Sequence, residues 1–343
     1  MTQMSFDSLK PTYKITKPIR LIELFAGIGA QAKALENLGV DFEHYRICEF
    51  DKYAVKSYNA IHGTDFKTSD ITKIGGENLG IVDTDKYTYI MTYSFPCQDL
   101  SICGKQKGMS KGGNTRSGLL WEVERLLNEV DILPDILLME NVVQVHIKKN
   151  RADFNKWISF LENKDYSNYY ANLNSKNYGV AQNRNRCFMI SILGDYNYEF
   201  PQPVQLDKTM SDYLEKTVDE KYFLSLKGVK YVTNPKKDRF VKINPQIACA
   251  ITARGNSNWN GNFVSCDLAG NLCGGQDIKI EVNQKPLRLR KLTPRECFRL
   301  MSFTDEDIDK CYAIGMSDSQ LYKQAGNSIV VKVLERIFEQ LIN

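Results

Sequence analysis

The chain has 343 residues, of which 43% are hydrophobic and 25% are charged, a composition with which a globular protein buries a core without disulfides or a structural metal. No run of 18 apolar residues occurs, and residues 1–18 have no apolar core of signal-peptide length, so we expect neither a membrane span nor a signal peptide. The formal net charge of +4 permits a polyanionic partner without requiring one.

Short apolar runs alternate with helical stretches through the first half of the chain. Strands that alternate with helices predict a parallel sheet covered on both faces, which binds ligands at the carboxyl ends of its strands. We predict buried strands at residues 19–24, 46–49, 89–93, 136–140 and 186–192, with helices after the first two strands that extend to about residues 38 and 61.

The composition and the hydrophobic pattern of the sequence change after about residue 193. Residues 195–287 are rich in Asn and Gly, and the part from 225 to 260 carries seven Lys or Arg against one Asp. Helical patterns return at 291–301 and at 328–341. We therefore predict a large domain formed by residues 1–194 and 288–343, and a smaller domain inserted between them at residues 195–287.

The chain contains nine cysteines but no C-x-x-C pair, so neither a zinc ribbon nor a thioredoxin-like site is supported. This cysteine usage is typical of a reduced, cytoplasmic protein. The histidines, His44, His62 and His146, lie apart in the sequence. We therefore expect no metal site.

A glycine-rich segment, FAGIG at residues 25–29, joins the first predicted strand to the first helix. Glu49 follows Gly27 by 22 positions, and an acid at this place accepts both ribose hydroxyls of an adenosine. With Ala32, the segment also fits the relaxed dinucleotide fingerprint. A nicotinamide or flavin enzyme, and a glycine turn without a ligand, therefore stay open at this point.

The segment TYSFPCQDLS at residues 92–101 places Cys97 at the carboxyl edge of the predicted sheet. A cysteine there is a candidate nucleophile, because the thiolate is reactive close to neutral pH; the alternative is a buried structural cysteine. Residues 100–121 contain four Lys or Arg, five glycines and no acid. This composition suits a mobile loop that closes over a phosphate backbone, or else a solvated surface loop.

Two further segments place charged side chains at the same edge. Glu140 ends a predicted strand, and a carboxylate in a closed apolar site tends to hold a proton that it can give to a ring nitrogen. Arg184 and Arg186 precede another strand, and a guanidinium suits a carbonyl oxygen or a phosphate. Taken singly, each residue is also compatible with a surface salt bridge.

The motifs FAGIG, PCQ, ENV, QNRNR and QAGNS occur in this order, and the chain resembles the DNA cytosine-5 methyltransferases. The resemblance covers roughly residues 19–192 and 287–341, including TRSGLLWE at 115–122 and RKLTPRECFRLM at 290–301. It implies an α/β fold, in which a Rossmann-like S-adenosylmethionine-dependent methyltransferase domain carries a smaller, mostly irregular or β target-recognition domain. The catalytic half is close to prokaryotic CpG-methylating members, but residues 195–287 do not share their recognition segment, so CpG specificity is not carried over.

The resemblance also implies a role for each matching residue. Cys97 matches the nucleophile, and Glu140 matches the acid at cytosine N3. Arg186 matches the contact to the O2 carbonyl, and Arg184 supports the same site. The implied cofactor is S-adenosylmethionine. Its implied contacts are Phe25, Ala26, Gly27, Ile28, Gly29, Glu49, Phe50, Asp70, Ile71, Ser94, Pro96, Leu119, Asn327 and Ser328.

The implied reaction methylates C5 of a cytosine flipped out of double-stranded DNA, through a covalent bond between Cys97 and C6. We expect a cytoplasmic monomer of prokaryotic or phage type, either solitary or paired with a restriction endonuclease that acts separately. Lys236 is a candidate phosphate contact, and Arg254, in a stretch rich in Asn and Gly, is a candidate base contact or part of a plain surface loop. Ser101 and Lys105 are further candidate DNA contacts.

Three alternatives accompany this interpretation. An RNA cytosine methyltransferase shares PCQ and ENV, but the Cys-Phe-Thr signature typical of that branch does not occur in this sequence. A nucleotide-dependent oxidoreductase explains Gly27, Gly29 and Glu49 but gives Cys97 and Glu140 no shared purpose. A non-catalytic DNA-binding relative is disfavoured because both of the latter residues are intact.

Overall fold

The computed structural model describes residues 10–100, 108–113, 115–255, 259–272 and 288–342. Within these residues the strands are β1 (Ile19–Leu24), β2 (Phe42–Cys48), β3 (Thr88–Tyr93), β4 (Ile136–Val142), β5 (Tyr166–Asn174), β6 (Gln182–Asn183), β7 (Asn185–Leu193), β8 (Val241–Ile243), β9 (Ala248–Cys249), β10 (Gly261–Cys266) and β11 (Arg288–Lys291). The α-helices are α1 (Ala30–Leu38), α2 (Lys52–His62), α3 (Leu120–Glu129), α4 (Arg151–Glu162), α5 (Leu226–Val232), α6 (Pro294–Leu300), α7 (Asp305–Ala313), α8 (Asp318–Asn327) and α9 (Val331–Ile342). None of these helices has the length and apolar content that crossing a membrane requires.

The chain divides into two compact units. The first unit contains residues 1–173, 185–202 and 333–343, and the second contains residues 174–184 and 203–332. The smaller predicted domain, 195–287, falls almost entirely within the second unit. Residues 288–332, which we expected in the large domain, group with the second unit, because β11 pairs with β10 and the Glu215 amide donates to Glu296 of α6. The functional assignment of the predicted domains stays a prediction.

A six-stranded sheet lies at the centre of the first unit, in the order β2-β1-β3-β4-β7-β5. Every residue of β3 and β4 is buried, as expected for central strands that are covered on both faces. β1 pairs in parallel with β2 and β3, and β3 pairs in parallel with β4. β7 runs antiparallel to β4, so the prediction of a parallel sheet is wrong at this strand. An apolar run shows that a strand is buried but does not encode its direction.

The predicted strands differ most from the structure at the two edge strands of this sheet. β2 begins at Phe42 rather than at 46, and all its residues except Cys48 are half-buried or exposed, including the polar His44 and Arg46. β5 lies at the opposite edge, is mostly half-exposed, and was not predicted. Edge strands carry polar side chains toward solvent, so they lack the continuous apolar run that identified β1, β3 and β4.

The turn between β1 and α1 has an unusual backbone. Phe25, Gly27 and Gly29 have φ angles of 58°, 58° and 77°, in the left-handed region that favours glycine. A Cβ atom on Gly29 would lie 2.3 Å from His62 Nε2 and 2.7 Å from the Tyr58 ring. A side chain at this position would therefore displace α2, from which both of those residues project.

The second unit is built around smaller sheets. β11, β10 and β8 form a three-stranded sheet, and β6 pairs with β9. The apolar core beside this sheet is small; its buried members are Val232, Val241, Phe263 and Leu289. A buried ion pair accompanies it, in which the Arg290 guanidinium donates to both Glu296 carboxylate oxygens at 2.9 and 2.7 Å. Glu296 also caps α6 together with Thr293.

Candidate active site

Cys97 lies in the loop that follows the buried strand β3, and its side chain is half-buried. Side chains from two neighbouring segments hold the main chain just before it. Asn141 Nδ2 donates to the Phe95 carbonyl oxygen at 2.9 Å. Ser117 Oγ donates to the Pro96 carbonyl oxygen at 2.7 Å. These bonds fix the backbone from which Cys97 projects.

The loop beyond this cysteine is held by a second set of bonds around Asp99. The Asp99 amide donates to Ser117 Oγ at 3.3 Å, and the Arg116 amide donates to Asp99 Oδ2 at 2.8 Å. The Arg116 guanidinium donates to Gln98 Oε1 at 2.6 Å. Our reading of the sequence missed Ser117 and Asp99 as site residues. Their positions inside the TRSG and PCQD motifs are the signal that could have identified them.

An ion pair joins the inner strands β4 and β7 near the carboxyl end of β4. The Cys97 loop lies at the same end of the sheet. In the antiparallel pairing of β4 with β7, Arg186 Nε lies 3.2 Å from Glu140 Oε1, and the Glu140 side chain is 10% exposed. β3 and β4 are parallel, with Tyr93 paired to Met139. The loop that carries Cys97 therefore begins close to the level of Glu140, which lies two residues before the end of β4. Three of the four predicted catalytic residues come to one edge.

The surroundings of Glu140 differ from the closed apolar site that we expected, because they include a charged side chain. The Arg186 guanidinium lies beside the carboxylate, so a charged group rather than an apolar surface borders it. A second cysteine, Cys187, lies beside the pair on β7. Burial and the Glu140 charge raise the pKa of the Cys187 thiol to about 12, so this residue stays protonated and does not compete as a nucleophile.

The carboxylate of Glu49 ties the glycine turn to the start of α2. Glu49 Oε2 accepts from the Gly27 amide at 2.9 Å, and Oε1 accepts from the Asp51 amide at 2.7 Å. Burial raises the pKa of Glu49 above its ordinary value, although both of these amides favour the charged form. The structure thus places the predicted ribose-binding acid in direct contact with the predicted cofactor turn.

The surroundings of the turn fit an adenosine with a polar tail. A Cβ atom on Gly27 would meet no atom within 4 Å, so the space beside the turn is open. The Phe50 side chain is 78% exposed, which leaves an aromatic face available for stacking. Ser94 Oγ is buried and has no hydrogen-bond partner among the described residues. A carboxylate, an exposed ring and a hydroxyl in need of a partner match the groups of S-adenosylmethionine.

The remaining predicted cofactor residues of the first unit occupy varied environments. Asp70 Oδ1 accepts from the Thr72 hydroxyl at 2.8 Å and from its amide at 3.1 Å, and these bonds lower the pKa of Asp70. Ile71 is buried, and its carbonyl accepts from Arg125 at 2.9 Å. Leu119 lies half-buried at the start of α3. Ala26, Ile28 and Gly29 of the turn are buried.

Residues 19–343 match the model of the C-5 cytosine-specific DNA methylase family. The chain belongs to this family. The type II methyltransferase M2.ScrFI of Lactococcus lactis subsp. cremoris is 33% identical over 94% of this chain and 99% of its own length. The orphan methyltransferase M.SssI of Spiroplasma monobiae is 33% identical over 95% of this chain and 98% of its own length. The methylase is therefore a DNA cytosine-5 methyltransferase, as the ordered motifs predicted.

Solved structures share the fold of this methylase. The methyltransferase EhMeth of Entamoeba histolytica superposes with a TM-score of 0.74 at 20% identity, over 95% of this chain and 98% of its own. The Dnmt2 methyltransferase of S. pombe gives a TM-score of 0.74 at 22% identity, over 94% and 98%. At these identities the likeness concerns the fold alone, and it confirms the predicted α/β methyltransferase architecture.

Arg184 has structural contacts within the second unit of the methylase. Its buried guanidinium donates to the carbonyl oxygens of Ile251 at 2.8 Å, Gly326 at 3.1 Å and Ser328 at 2.6 Å. A Cβ atom on Gly326 would lie 2.0 Å from the Ala253 amide nitrogen, so these segments touch closely. Arg184 therefore joins the 251–253 segment to the QAGNS motif. The catalytic support that we expected from it stays a prediction.

Asn327 and Ser328, the predicted cofactor contacts near the C-terminus, also belong to the second unit. Asn327 is the last residue of α8, and the Ser328 amide donates to the Gln324 carbonyl oxygen at 2.9 Å. Ser328 is buried. Their contact with the cofactor stays a prediction.

The candidate DNA contacts divide into two groups. Ser101 and Lys105 lie outside the described residues. Lys236 and Arg254 are exposed in the second unit, as residues that bind DNA must be. Lys236 lies in a short turn whose start is capped by Asn234 Oδ1, which accepts from the Lys236 amide at 3.0 Å.

Two of the histidines lie together, contrary to their separation in the sequence. The rings of His44 and His62 have their centroids 5.1 Å apart. Glu36 Oε1 lies 2.6 Å from His62 Nδ1 and 3.5 Å from His44 Nε2. Their separation in the sequence did not reveal this pair, because the packing of β2 against the end of α2 brings the two rings to one place. His146 bonds Asn172 instead.

Proposed function

We propose that this methylase transfers the methyl group of S-adenosylmethionine to C5 of a cytosine that has left the DNA duplex, with Cys97 as the nucleophile. The observation that carries the proposal is the geometry of one sheet edge. The Cys97 loop follows β3, and the Glu140–Arg186 pair lies at the end of the adjacent strand β4. A nucleophile, a proton donor and a cation for a carbonyl oxygen are the groups that cytosine activation requires.

The proposed steps follow from the weak nucleophilicity of cytosine C5. The base leaves the stack, since the ring is otherwise closed to attack from its faces. The Cys97 thiolate forms a bond to C6 while Glu140 donates a hydrogen bond or a proton at N3, which raises the electron density at C5. Arg186 contacts O2. After methylation, the C5 proton leaves to water, the bond from sulfur to C6 breaks, and the thiolate is regenerated. A proton given to N3 returns to Glu140.

S-adenosylmethionine, when bound, supplies an electrophilic methyl group on a sulfonium centre, which the activated C5 accepts. The residues proposed to hold it are those of the glycine turn, Glu49 at the ribose and Phe50 against the adenine. Glu49 is suited to this role because its carboxylate is already oriented by the Gly27 and Asp51 amides. An oriented acceptor loses little freedom when the ribose hydroxyls bind.

The proposed partner of the methylase is double-stranded DNA, on which the chain acts as a monomer. Any cognate restriction endonuclease would be a separate protein. The relatives include both a type II and an orphan methyltransferase, so the biological setting requires its own experiment. Bisulfite sequencing of plasmid DNA from a host that expresses the chain would identify the recognition sequence.

A trapping experiment tests the proposed nucleophile. Duplex DNA with 5-fluorocytosine at the target should give a stable covalent adduct that mass spectrometry maps to Cys97, because fluorine does not leave as a proton does. Cys97→Ser should abolish the adduct and methyl transfer. The control is Cys249→Ser, at a half-buried cysteine of the second unit, which should retain both. An adduct on another residue, or methylation of transfer RNA in preference to duplex DNA, would overturn the proposal.

A further inference from the structure

Three side chains with metal-binding atoms converge beside the cofactor turn. Glu36 projects from α1, His44 from β2 and His62 from the end of α2. One carboxylate oxygen, Nε2 of His44 and Nδ1 of His62 all lie within 4.8 Å of one another. The three residues come from two helices and a strand of the first unit. Sites on such rigid elements hold their ligands more accurately than sites on loops.

The second ring nitrogen of each histidine already has a partner. His62 Nε2 lies 3.1 Å from the Ile28 carbonyl oxygen, to which only a protonated nitrogen can bond. His44 Nδ1 lies 3.1 Å from Tyr58 Oη. The Tyr58 hydroxyl donates its own hydrogen to Glu23 Oε2 at 2.5 Å, so its oxygen accepts from His44. Both rings therefore have their other nitrogen directed at Glu36.

A neutral imidazole has one donor and one acceptor nitrogen. With Nε2 of His62 and Nδ1 of His44 as the donors, the nitrogens that face Glu36 carry lone pairs. Two lone pairs and a carboxylate oxygen then converge on one point, where they repel each other unless a cation lies between them. A zinc ion or a proton on each ring satisfies this requirement.

We propose that Glu36, His44 and His62 form a zinc site. Zinc accepts histidine nitrogen and carboxylate oxygen at about 2.0–2.2 Å, and a site with three protein ligands keeps a fourth position for water. Metal-bound histidines in proteins usually donate their other nitrogen to a carbonyl or a carboxylate-linked group, and both histidines have such partners here.

The exposure of the three side chains shows how an ion would be accommodated. His62 is fully buried, whereas the side chains of His44 and Glu36 are 19% and 28% exposed. Ligand atoms around a tetrahedral ion with such bonds are about 3.3 Å apart. Glu36 Oε1 must therefore move slightly away from His62, which its exposure allows. Lys33 pairs with Oε2 of the same carboxylate at 3.3 Å, so Oε1 is the oxygen for the ion.

The location gives the ion a consequence for the cofactor turn. His62 donates to the carbonyl of Ile28, which lies between Gly27 and Gly29. A bound zinc ion would fix the His62 ring in the orientation that makes this bond. The ion therefore orders the turn through the His62 ring, on the side of the turn that faces α2. This inference stands on the cluster alone and does not depend on the proposed methyl donor.

Titration with Zn²⁺ by calorimetry tests the site in the full chain, without DNA or cofactor. The wild type should bind one zinc ion per chain. His44→Ala and Glu36→Gln should each weaken binding by more than about 100-fold, because loss of an outer partner alone costs roughly 10–100-fold. His146→Ala is the matched control and should bind as the wild type does. Zinc should also raise the melting temperature of the wild type but not of the two ligand variants.

The absorption spectrum of the Co²⁺-substituted chain separates this site from cysteine ligation. Four nitrogen and oxygen ligands should give visible d–d bands without thiolate charge-transfer bands in the near ultraviolet. Thiolate bands, unchanged zinc affinity in folded His44→Ala, or the absence of saturable binding at micromolar zinc would overturn the proposal. The last result would assign the lone-pair contacts to protons on the two rings.

Discussion

The two units of the methylase position their polar groups by different means. In the first unit, Cys97 follows β3 and Glu140 lies near the end of β4. All residues of both strands are buried, so these strands determine where the two side chains lie. In the second unit, the exposed segment that contains Arg254 is held through Arg184, which binds its main chain. A strand end is visible in the sequence as the end of an apolar run, whereas a side chain that bonds to distant carbonyls leaves no periodic pattern.

The largest effect that follows from this comparison concerns the stability of the second unit, whose apolar core is small. Arg290 and Glu296 are 1% and 0% exposed in their side chains. Glu296→Gln should lower the free energy of unfolding by about 3–5 kcal/mol, because it leaves a buried guanidinium uncompensated. Urea unfolding measures the change. Glu306→Gln, which breaks an exposed pair with Lys310, should cost less than about 1 kcal/mol, and equal losses would contradict the argument.

Two arginines of the QNRNR motif, which a single residue separates, test the roles of the two units. Arg186→Lys should lower kcat, because lysine cannot keep the same guanidinium contact with Glu140. Arg184→Lys should instead cost about 1–3 kcal/mol of stability and reduce discrimination between DNA sequences, since up to three carbonyls lose their donor. Single-turnover kinetics on cognate and altered duplexes distinguish the two. A loss of kcat in Arg184→Lys with intact discrimination would restore its predicted catalytic role.

Glu49 predicts a pH dependence that belongs to the first unit. Its folded pKa is raised by burial, so its contribution to stability is fully present below the unfolded value of about 4.3 and is lost as pH rises through the folded pKa. In the absence of cofactor, the wild type should therefore lose stability relative to Glu49→Gln over this range. Urea unfolding of both chains from pH 4 to pH 7 measures the difference, and parallel curves would contradict the burial argument.

When the cofactor is bound, the charged form of Glu49 is instead favourable, because it accepts hydrogen bonds from the ribose hydroxyls. Glu49→Ala should weaken S-adenosylmethionine binding by roughly 1–3 kcal/mol, the usual scale for hydrogen bonds to a charged group. Calorimetry measures this loss. Saturable NAD binding in the same experiment would revive the oxidoreductase alternative.

The sequence predicted the parts of the fold that depend on burial. The apolar runs located β1, β3, β4 and β7, and the loop after β3 begins near the end of β4 that carries Glu140. The run that forms β7 could not predict its antiparallel direction, because a strand buried on both faces has the same composition in either direction. Edge strands such as β5 were hidden by their polar exposed residues.

Contacts between distant segments could not be predicted from the sequence, for a different reason. His44 and His62 are 18 positions apart, and only the packing of α2 on the sheet brings their rings together. Arg184 and Arg186 would project to the same side of a continuous strand, but the chain passes from β6 to β7 between them and their contacts diverge. Motifs identify such residues as important without showing what they touch.

The smallest predicted effect concerns Lys236. It tests whether the second unit recognises bases or only binds the phosphate backbone. Lys236 is exposed and is proposed to neutralise a phosphate, so Lys236→Ala should weaken binding to all sequences alike, by less than Arg254→Ala weakens the cognate one. The slope of log affinity against log salt should fall by about one unit.

Arg254 provides the contrast, because its exposed side chain lies on a segment whose backbone is fixed by Arg184. A fixed backbone is what base reading requires, since a bidentate contact to guanine tolerates little displacement. Arg254→Ala should therefore cost about 1–3 kcal/mol on the cognate duplex and much less on altered ones. Binding isotherms of both variants over a salt series, on cognate and altered duplexes, measure the two patterns. If Arg254→Ala loses the same free energy on every sequence, the residue is a phosphate contact like Lys236, and another segment reads the bases.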